Sequence, residues 1–461
     1  MKDSFKKYKY IYLIGVGGIG MSALARYFNY HKKIVFGHDC NQSDLCTDLE
    51  SEGILINYLD DIEKIPSQIQ FNKDHSLIIY TPAISFEQNQ MSYFIENNFY
   101  IMKRSEILGL ITEDYFTIAV AGTHGKTTTS SMIAHILNNS GQDCTAFLGG
   151  ISSNYNSNLL VSSESNIMVV EADEFDRSFL SLRPDIAVIT SIDNDHTDIY
   201  KNHQILLQAF SDFLQRIKKG GTLVLEQNID MSIVNRDDVS ILKYANESNT
   251  RYKCSAVNIR FIDDKMFFDV DYNGDKISDL ELNMLGRYNI SNAIASILVT
   301  KQLGVTNNNI ISSIKSFSGV KRRCEIILNT KDILFIDDYA HHPEEIKQII
   351  FAVKESFPNR KITVIFQPHL YSRTRDLMRD FSNSLSICDE LILLDIFGSR
   401  EKHVKDIHVH QLFDMCRIER KEISDLSSIA DLIKTKDIDV LLSLGAGDIS
   451  TVVDPIKRVL K

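Results

Sequence analysis

The stretch Val120-Ala-Gly122-Thr123-His124-Gly125-Lys126-Thr127-Thr128 decides the reading of this chain, because it follows an apolar strand (Phe116 to Ala121) and opens a helix predicted over Thr129 to Leu137. Glycines at 122 and 125 let backbone N–H groups turn toward phosphate oxygens. Lys126 can reach the β- and γ-phosphates, and the Thr127 hydroxyl can ligate Mg²⁺ at a helix N-terminus. ATP is the expected cofactor, with Thr123, His124 and Thr128 completing its cradle. The first glycine of the standard P-loop, G-x-x-x-x-G-K-[ST], would fall at position 120, which is Val, so the loop must be shorter. A glycine turn with a chance Lys-Thr is the bland alternative. The order strand, glycine, lysine, threonine, helix outweighs it.

The 461 residues allow about three domains, each with its own core. Hydrophobic and charged fractions of 44% and 24% are those of a soluble protein, and no run of eighteen apolar residues spans a membrane. A net charge of −11 argues against nucleic-acid and anionic-membrane partners while leaving small anionic ligands open. Seven scattered cysteines without C-x-x-C spacing read as free thiols in a reducing, cytoplasmic setting. Lys6-Lys7 followed by an apolar stretch imitates a signal peptide, but Gly15, Gly17, Gly18 and Gly20 interrupt the stretch and suit a strand and turn better. A monomer or weak homodimer is expected.

Upstream, short apolar runs (Tyr10 to Ile14, Ile34 to His38, Leu77 to Tyr80, Tyr100 to Met102) alternate with helical stretches, the βαβ rhythm of a Rossmann-like parallel sheet. Gly15-Val-Gly17-Gly18-Ile-Gly20 lies between the first strand and a helix, and Asp39 closes the second strand, where an acid meets a ribose hydroxyl. This fingerprint suits NAD, FAD or a UDP-sugar equally. A first boundary falls near residue 113 and a second at the turn Ser316-Phe-Ser-Gly319. The expected architecture is α/β throughout: a Rossmann-like domain (1–113), a central P-loop domain with a parallel sheet (114–319), and a second Rossmann-like domain (320–461).

Glu171 ends the apolar strand that begins at Ile167, where a P-loop enzyme places the acid that holds Mg²⁺, and Asp173, Glu174 and Asp176 follow it. The next strand leads to Asp193, Asp195, His196 and Asp198. His196 is a candidate second metal ligand, although a lone loop histidine is more often a surface or packing group. In the third domain Asp337-Asp-Tyr339-Ala-His341-His-Pro343 and Gln367-Pro-His369-Leu-Tyr-Ser-Arg373-Thr-Arg375 each follow a buried strand, at the sheet edge where α/β folds bind ligands. His341-His342 lacks a Cys or Glu at metal spacing, which favours hydrogen-bonding roles, and the arginines suit a carboxylate or phosphate clamp.

Together with Gly286-Arg-Tyr-Asn289-Ile-Ser-Asn292, Lys321-Arg-Arg323 and Gly445-Ala-Gly-Asp448, these motifs resemble the Mur ligase family of cell-wall synthesis over nearly the whole chain. The resemblance implies that the first domain binds a UDP-sugar through Gly15, Gly17, Gly18, Gly20 and Asp39, the second binds ATP, and the third the amino acid. It implies ATP-dependent joining of L-alanine to UDP-N-acetylmuramate through an acyl phosphate, the first peptide-forming step toward peptidoglycan. Carried over by motif, Lys126 and Thr127 serve the phosphates and Mg²⁺, and Glu171 and His196 bind metal. Asn289, Asn292 and Arg323 contact ATP; Tyr339, His341 and Arg373 orient the alanine and the reacting carboxyl group.

Four positions depart from the family's commoner pattern: Ser191 for Asn, Tyr288 for His, Cys324 for Phe, and Leu370 where an Arg often follows Pro-His. The last moves the amino-acid carboxylate onto Arg373 and Arg375. No lysine lies between His203 and Ile217, where the siblings that add later residues carry a carbamylated one. Two rivals remain from other classes. A dehydrogenase would use the N-terminal glycines and have no need of Lys126, and a P-loop ATPase or switch would hydrolyse ATP without any sugar.

Overall fold

A computed structural model describes residues 3–193, 200, 202–246, 252, 254–262, 265–399 and 401–461. Three sheets organise them. In the first, β1 (Tyr10–Ile14), β2 (Ile34–His38), β3 (Leu55–Asn57), β4 (Ser76–Tyr80) and β5 (Tyr100–Lys103) run in the order β3-β2-β1-β4-β5 with every pairing parallel. All five residues of β1 are buried, as a central parallel strand covered on both faces requires. The order reverses at β1, so a topological switch point opens beside Gly15.

The second sheet comprises β6 (Phe116–Ala121), β7 (Thr145–Ser152), β8 (Ser157–Leu160), β9 (Ile167–Glu171), β10 (Ile186–Ile189), β11 (Thr222–Glu226), β12 (Ser240–Ala245), β13 (Cys254–Ile262), β14 (Lys265–Tyr272) and β15 (Asp275–Leu282). Their order is β15-β14-β13-β12-β11-β10-β6-β9-β7-β8. The phosphate-loop strand β6 lies between β10 and β9, parallel to both, with Val120 opposite Glu171 and Ala121 opposite Ile189. That register brings the end of β9 and the start of the phosphate loop together.

In the third sheet β16 (Glu325–Asn329), β17 (Leu334–Asp338), β18 (Ile362–Phe366), β19 (Glu390–Leu393), β20 (Lys421–Ile423) and β21 (Val440–Leu444) run β16-β17-β21-β18-β19-β20. Only β16 is antiparallel to its neighbour. The carboxyl ends of β17, β21 and β18 are adjacent, which gathers Asp338, Gly445 and Gln367 at one edge.

The three-domain α/β architecture expected from sequence is present. By packing, the chain divides into two compact units, one of Met1–Asn258, Phe268–Leu280 and Ser291–Phe317, the other of Ile259–Phe267, Glu281–Ile290 and Ser318–Lys461. Within the first unit the first two sheets share a hydrophobic core: the Tyr27 ring lies 5.4 Å from Phe147, and Asn158 donates to Ile19 O at 2.6 Å. The helix after the phosphate loop begins at Lys126, three residues earlier than expected. No described helix is long and apolar enough to cross a membrane.

Candidate active site

Gly122 and Gly125 both have positive φ, +133° and +82°, and neither tolerates a side chain. A Cβ at Gly122 would lie 2.1 Å from Thr190 Oγ1; one at Gly125 would lie 2.4 Å from Asn292 Oδ1. The loop is fixed by β10's end: Thr123 N donates to Ser191 O at 3.0 Å, and His124 N donates to Ser191 Oγ at 3.0 Å. Ser191, one of the departures from the family pattern, thus orders the cradle through its hydroxyl. Gly125 is the left-handed cap of the helix Lys126–Asn139, so the N–H groups of Lys126, Thr127 and Thr128 form its first turn and their dipoles favour an anion. Asn292 accepts a hydrogen bond from Thr129 Oγ1 at 3.1 Å, which places it against the loop.

Lys126 Nζ donates to Gly122 O at 2.6 Å and to Glu174 Oε1 at 2.8 Å. Burial opposes its charge, but Glu174, Asp173 and Glu171 overcome that and push its pKa up to about 12. It therefore stays cationic across the physiological range. Burial and Glu174 raise the Asp173 carboxyl above its usual range, with Lys126 and Arg104 pulling the other way. Glu171 stands at the end of β9, and a Cβ at Gly149 on β7 would fall 2.1 Å from its Oε2. Gly149, which the sequence reading missed, is the space that Glu171 occupies. Hard oxygen donors here, the Thr127 hydroxyl and the Glu171 carboxylate beside a phosphate cradle, fit Mg²⁺, which typically takes one or two carboxylates plus substrate phosphates. Among the described residues no three His, Cys, Asp or Glu side chains form a protein-only metal cage. His196 lies outside the described residues, as do Asp195 and Asp198.

On the first sheet, Gly15 has φ +83° and passes so close to Thr81 that a Cβ would come within 2.8 Å of its Cγ2. Asp39 directly follows β2 and accepts a hydrogen bond from Gly17 N at 2.9 Å. The acid thus braces the glycine turn as well as facing it, a contact that spacing alone does not reveal. Gly17 would carry a Cβ 2.7 Å from Cys46 Sγ, and Gly20 one 2.9 Å from Arg104 Nη1.

In the other unit, the Arg322 and Arg323 guanidiniums each lie 5.1 Å from the Tyr339 ring, and the His341 ring meets that ring edge-on at 5.3 Å. His341 Nδ1 is 3.0 Å from Tyr339 O, and the His341 ring lies 6.0 Å from that of His369. Arg323, Tyr339 and His341 are thereby brought together. Asp338 accepts from Cys324 N at 2.6 Å and Ala340 N at 2.7 Å, yet burial raises its carboxyl to about 6. Asn289 donates to Leu285 O at 2.7 Å and so ties the start of its own helix, Arg287–Gln302. Gln367 is consumed locally, donating to Asp448 Oδ1 at 2.6 Å and accepting from Ile449 N. Arg373 lies on the helix Tyr371–Asp376, and its Nη1 is buried with no hydrogen-bond partner among the described residues. Leu370, at the position often held by Arg, adopts φ +69° just before that helix. Two other departures are neighbours: Cys324 is buried, Tyr288 is half-buried, and each feels the other electrostatically.

A phosphate loop with an acid-lined edge, one core shared with a glycine-loop sheet, and a third α/β sheet bearing arginines and histidines define an ATP-using ligase architecture. The chain belongs to the Mur ligase family. Family models match residues 10–116 (Mur ligase family, catalytic domain), 120–300 (Mur ligase middle domain) and 322–447 (Mur ligase, glutamate ligase domain). The UDP-N-acetylmuramate--L-alanine ligase of Cytophaga hutchinsonii is 40% identical over 97% of this chain and 96% of its own. That of Porphyromonas gingivalis is 43% identical over 98% and 99%. Among solved structures, UDP-N-acetylmuramate-alanine ligase MurC from Thermotoga maritima aligns with TM-score 0.82 and 25% identity, covering 97% of this chain and 98% of that one. A murein peptide ligase from Psychrobacter arcticus, at 21% identity and TM-score 0.71, shares the fold.

Proposed function

We infer that this chain joins L-alanine to UDP-N-acetylmuramate at the expense of ATP, in the cytoplasm, as the first peptide-forming step of peptidoglycan precursor synthesis. The observation that carries the reading is the Lys126 ammonium, held cationic beside Gly122 at the head of the phosphate loop, in a unit whose other sheet presents a second glycine loop. Residues 1–113 hold the sugar nucleotide, 114–319 the ATP and 320–461 the amino acid.

A carboxylate is not aminolysed at neutral pH, because hydroxide-like oxygen is too poor a leaving group. Activation therefore comes first. A lactyl carboxylate oxygen attacks the γ-phosphorus, the bond to the β,γ-bridging oxygen breaks, and ADP leaves. The alanine amine then attacks the acyl carbon, phosphate departs, and the nitrogen loses a proton. Lys126 and the N–H groups of the loop hold the γ-phosphoryl oxygens in line and stabilise their developing charge. Glu171 and Thr127 would hold Mg²⁺, with His196 as a further ligand, and the bound ion would offset the repulsion between two anions. Asn292 positions the loop from outside. Asn289 and Arg323 serve ATP, and Tyr339, His341 and Arg373 orient the alanine, with Arg373 clamping its carboxylate.

Hydroxylamine trapping tests the reading. With ATP, Mg²⁺ and UDP-N-acetylmuramate but no amino acid, a hydroxamate of the sugar nucleotide is expected. ATP turnover with no hydroxamate and no dependence on the sugar would mean a plain ATPase.

A further inference from the structure

None of these roles uses Arg104. It is the first residue of the helix Arg104–Thr112, directly after β5, and it is half-buried. Its side chain lies on the first turn of the helix that follows the N-terminal glycine loop: a Cβ at Gly20 would meet Arg104 Nη1 at 2.9 Å, Cδ at 3.2 Å and Cζ at 3.3 Å. The side chain thus packs into the space that the missing Gly20 Cβ leaves. Arg104 also lines a crevice of about 10 Å³, the room of one water, with Ser105, Glu171, Asp173 and Ser178. The crevice opens between the glycine-loop sheet and the acid-lined edge of the phosphate-loop sheet, both within one unit.

What distinguishes Arg104 is its lack of a partner. Its neighbour Lys103 forms a salt bridge with Asp176. Arg104 feels Asp173 electrostatically but makes no hydrogen bond or salt bridge among the described residues. A half-buried guanidinium with five unused donors loses hydration without recovering it, a cost a fold tolerates where a ligand completes the set. Arg presents a planar fork matched to carboxylate and phosphate oxygens, and the first turn beneath it adds backbone dipoles of the same sign.

We propose that Arg104 is a substrate-binding residue that grips an anionic group of the sugar nucleotide, its diphosphate or its lactyl carboxylate, beside the N-terminal glycine loop. The inference rests on the ligase reading above and deepens it. Glu171 and Asp173 line the crevice behind it, so the guanidinium lies between the N-terminal glycine loop and the acid-lined edge where the γ-phosphoryl group is transferred. Arg104 would thus fix the reacting end of the sugar nucleotide relative to Lys126.

Calorimetric titration of Arg104→Gln and Arg104→Lys, without ATP, tests this. The Gln variant should bind UDP-N-acetylmuramate on the order of tenfold more weakly, the scale of one lost charge-assisted contact, with Lys recovering part of the loss. Its ATP affinity and melting temperature should stay at parent values. UDP-N-acetylglucosamine, which keeps the diphosphate and lacks the lactyl group, separates the sources: an equal loss assigns the diphosphate, and no loss assigns the carboxylate. Unchanged affinity for UDP-N-acetylmuramate, or equal losses for it and for ATP, would overturn the proposal and leave Arg104 as packing. A parent protein that binds no UDP-sugar would instead overturn the ligase reading itself. Should the Gln variant fail to fold, the Lys variant decides alone, since it keeps the charge and loses the fork.

Discussion

The Lys126 ammonium lies 2.8 Å from Oε1 of Glu174, a carboxylate whose side chain is completely buried. The pair changes what removal of the lysine does. From sequence, Lys126→Ala reads as a substitution that faces phosphate and spares the fold. With Glu174 beneath it, the same change takes the Lys126 cation away from a buried acid.

Lys126→Ala is therefore expected to lower turnover by orders of magnitude and also to cost about 3 kcal/mol of stability, as breaking one side of a buried ion pair does. Lys126→Ala combined with Glu174→Gln should recover most of the stability and none of the turnover. Denaturant unfolding of both variants, alongside steady-state rates, checks this; a fully stable single variant would show that the pair contributes nothing.

Glu171→Gln keeps the volume and removes the charge, so it should raise the Mg²⁺ concentration needed for half-maximal rate while leaving the melting temperature near that of the parent. Gly149→Ala should do the same by a different route, because its methyl would occupy the space of Glu171 Oε2. Mg²⁺ titrations that overlay for parent and both variants would place the metal elsewhere.

Arg373 offers a buried, unbonded Nη1, the state of a donor awaiting a carboxylate. Arg373→Lys should raise the KM for L-alanine by an amount on the order of 2 kcal/mol, because lysine cannot form the bidentate pair, and leave the KM for the sugar nucleotide nearly unchanged. A parent-like alanine KM would move the anchor to Arg375 or His341.

Asp338 supplies a pH signature. Burial is the largest influence on it, with Glu345 adding and Arg323 and the Cys324 and Ala340 N–H groups opposing, and its carboxyl rises to about 6 from the usual 3.8. A raised acid binds its proton more tightly folded than unfolded, so its ionisation costs stability that grows from about pH 4 and is complete above pH 6, on the order of 2–3 kcal/mol. Asp338→Asn has no such cost. Its stability relative to the parent should therefore improve between pH 4.5 and pH 7.5, by thermal unfolding at both; a constant difference would show that Asp338 titrates normally.

Strands that carry the site were legible because each is a continuous apolar run that ends in a chemically distinctive residue: β6 before Gly122, β9 at Glu171, β17 at Asp338. The strands that went unread include the edge strands β3, β8, β16 and β20, three to five residues long and only partly buried, which lack both a long apolar run and a clean alternation. Motif residues were legible individually, whereas their supports were not. Gly149, Thr190 and Arg104 matter through contacts with residues at distant sequence positions, and nothing local to them signals it. The same holds for Asp39, whose bond to Gly17 spans 22 residues, and for the neighbours Tyr288 and Cys324.

The most direct test of the central claim is mass-spectrometric counting of products with purified protein, Mg²⁺, ATP, UDP-N-acetylmuramate and L-alanine. The account predicts one UDP-N-acetylmuramoyl-alanine amide per ADP and phosphate formed, with turnover falling to background when the sugar nucleotide is withheld. ATP hydrolysis that proceeds at the same rate without the sugar nucleotide, and yields no amide, would contradict it.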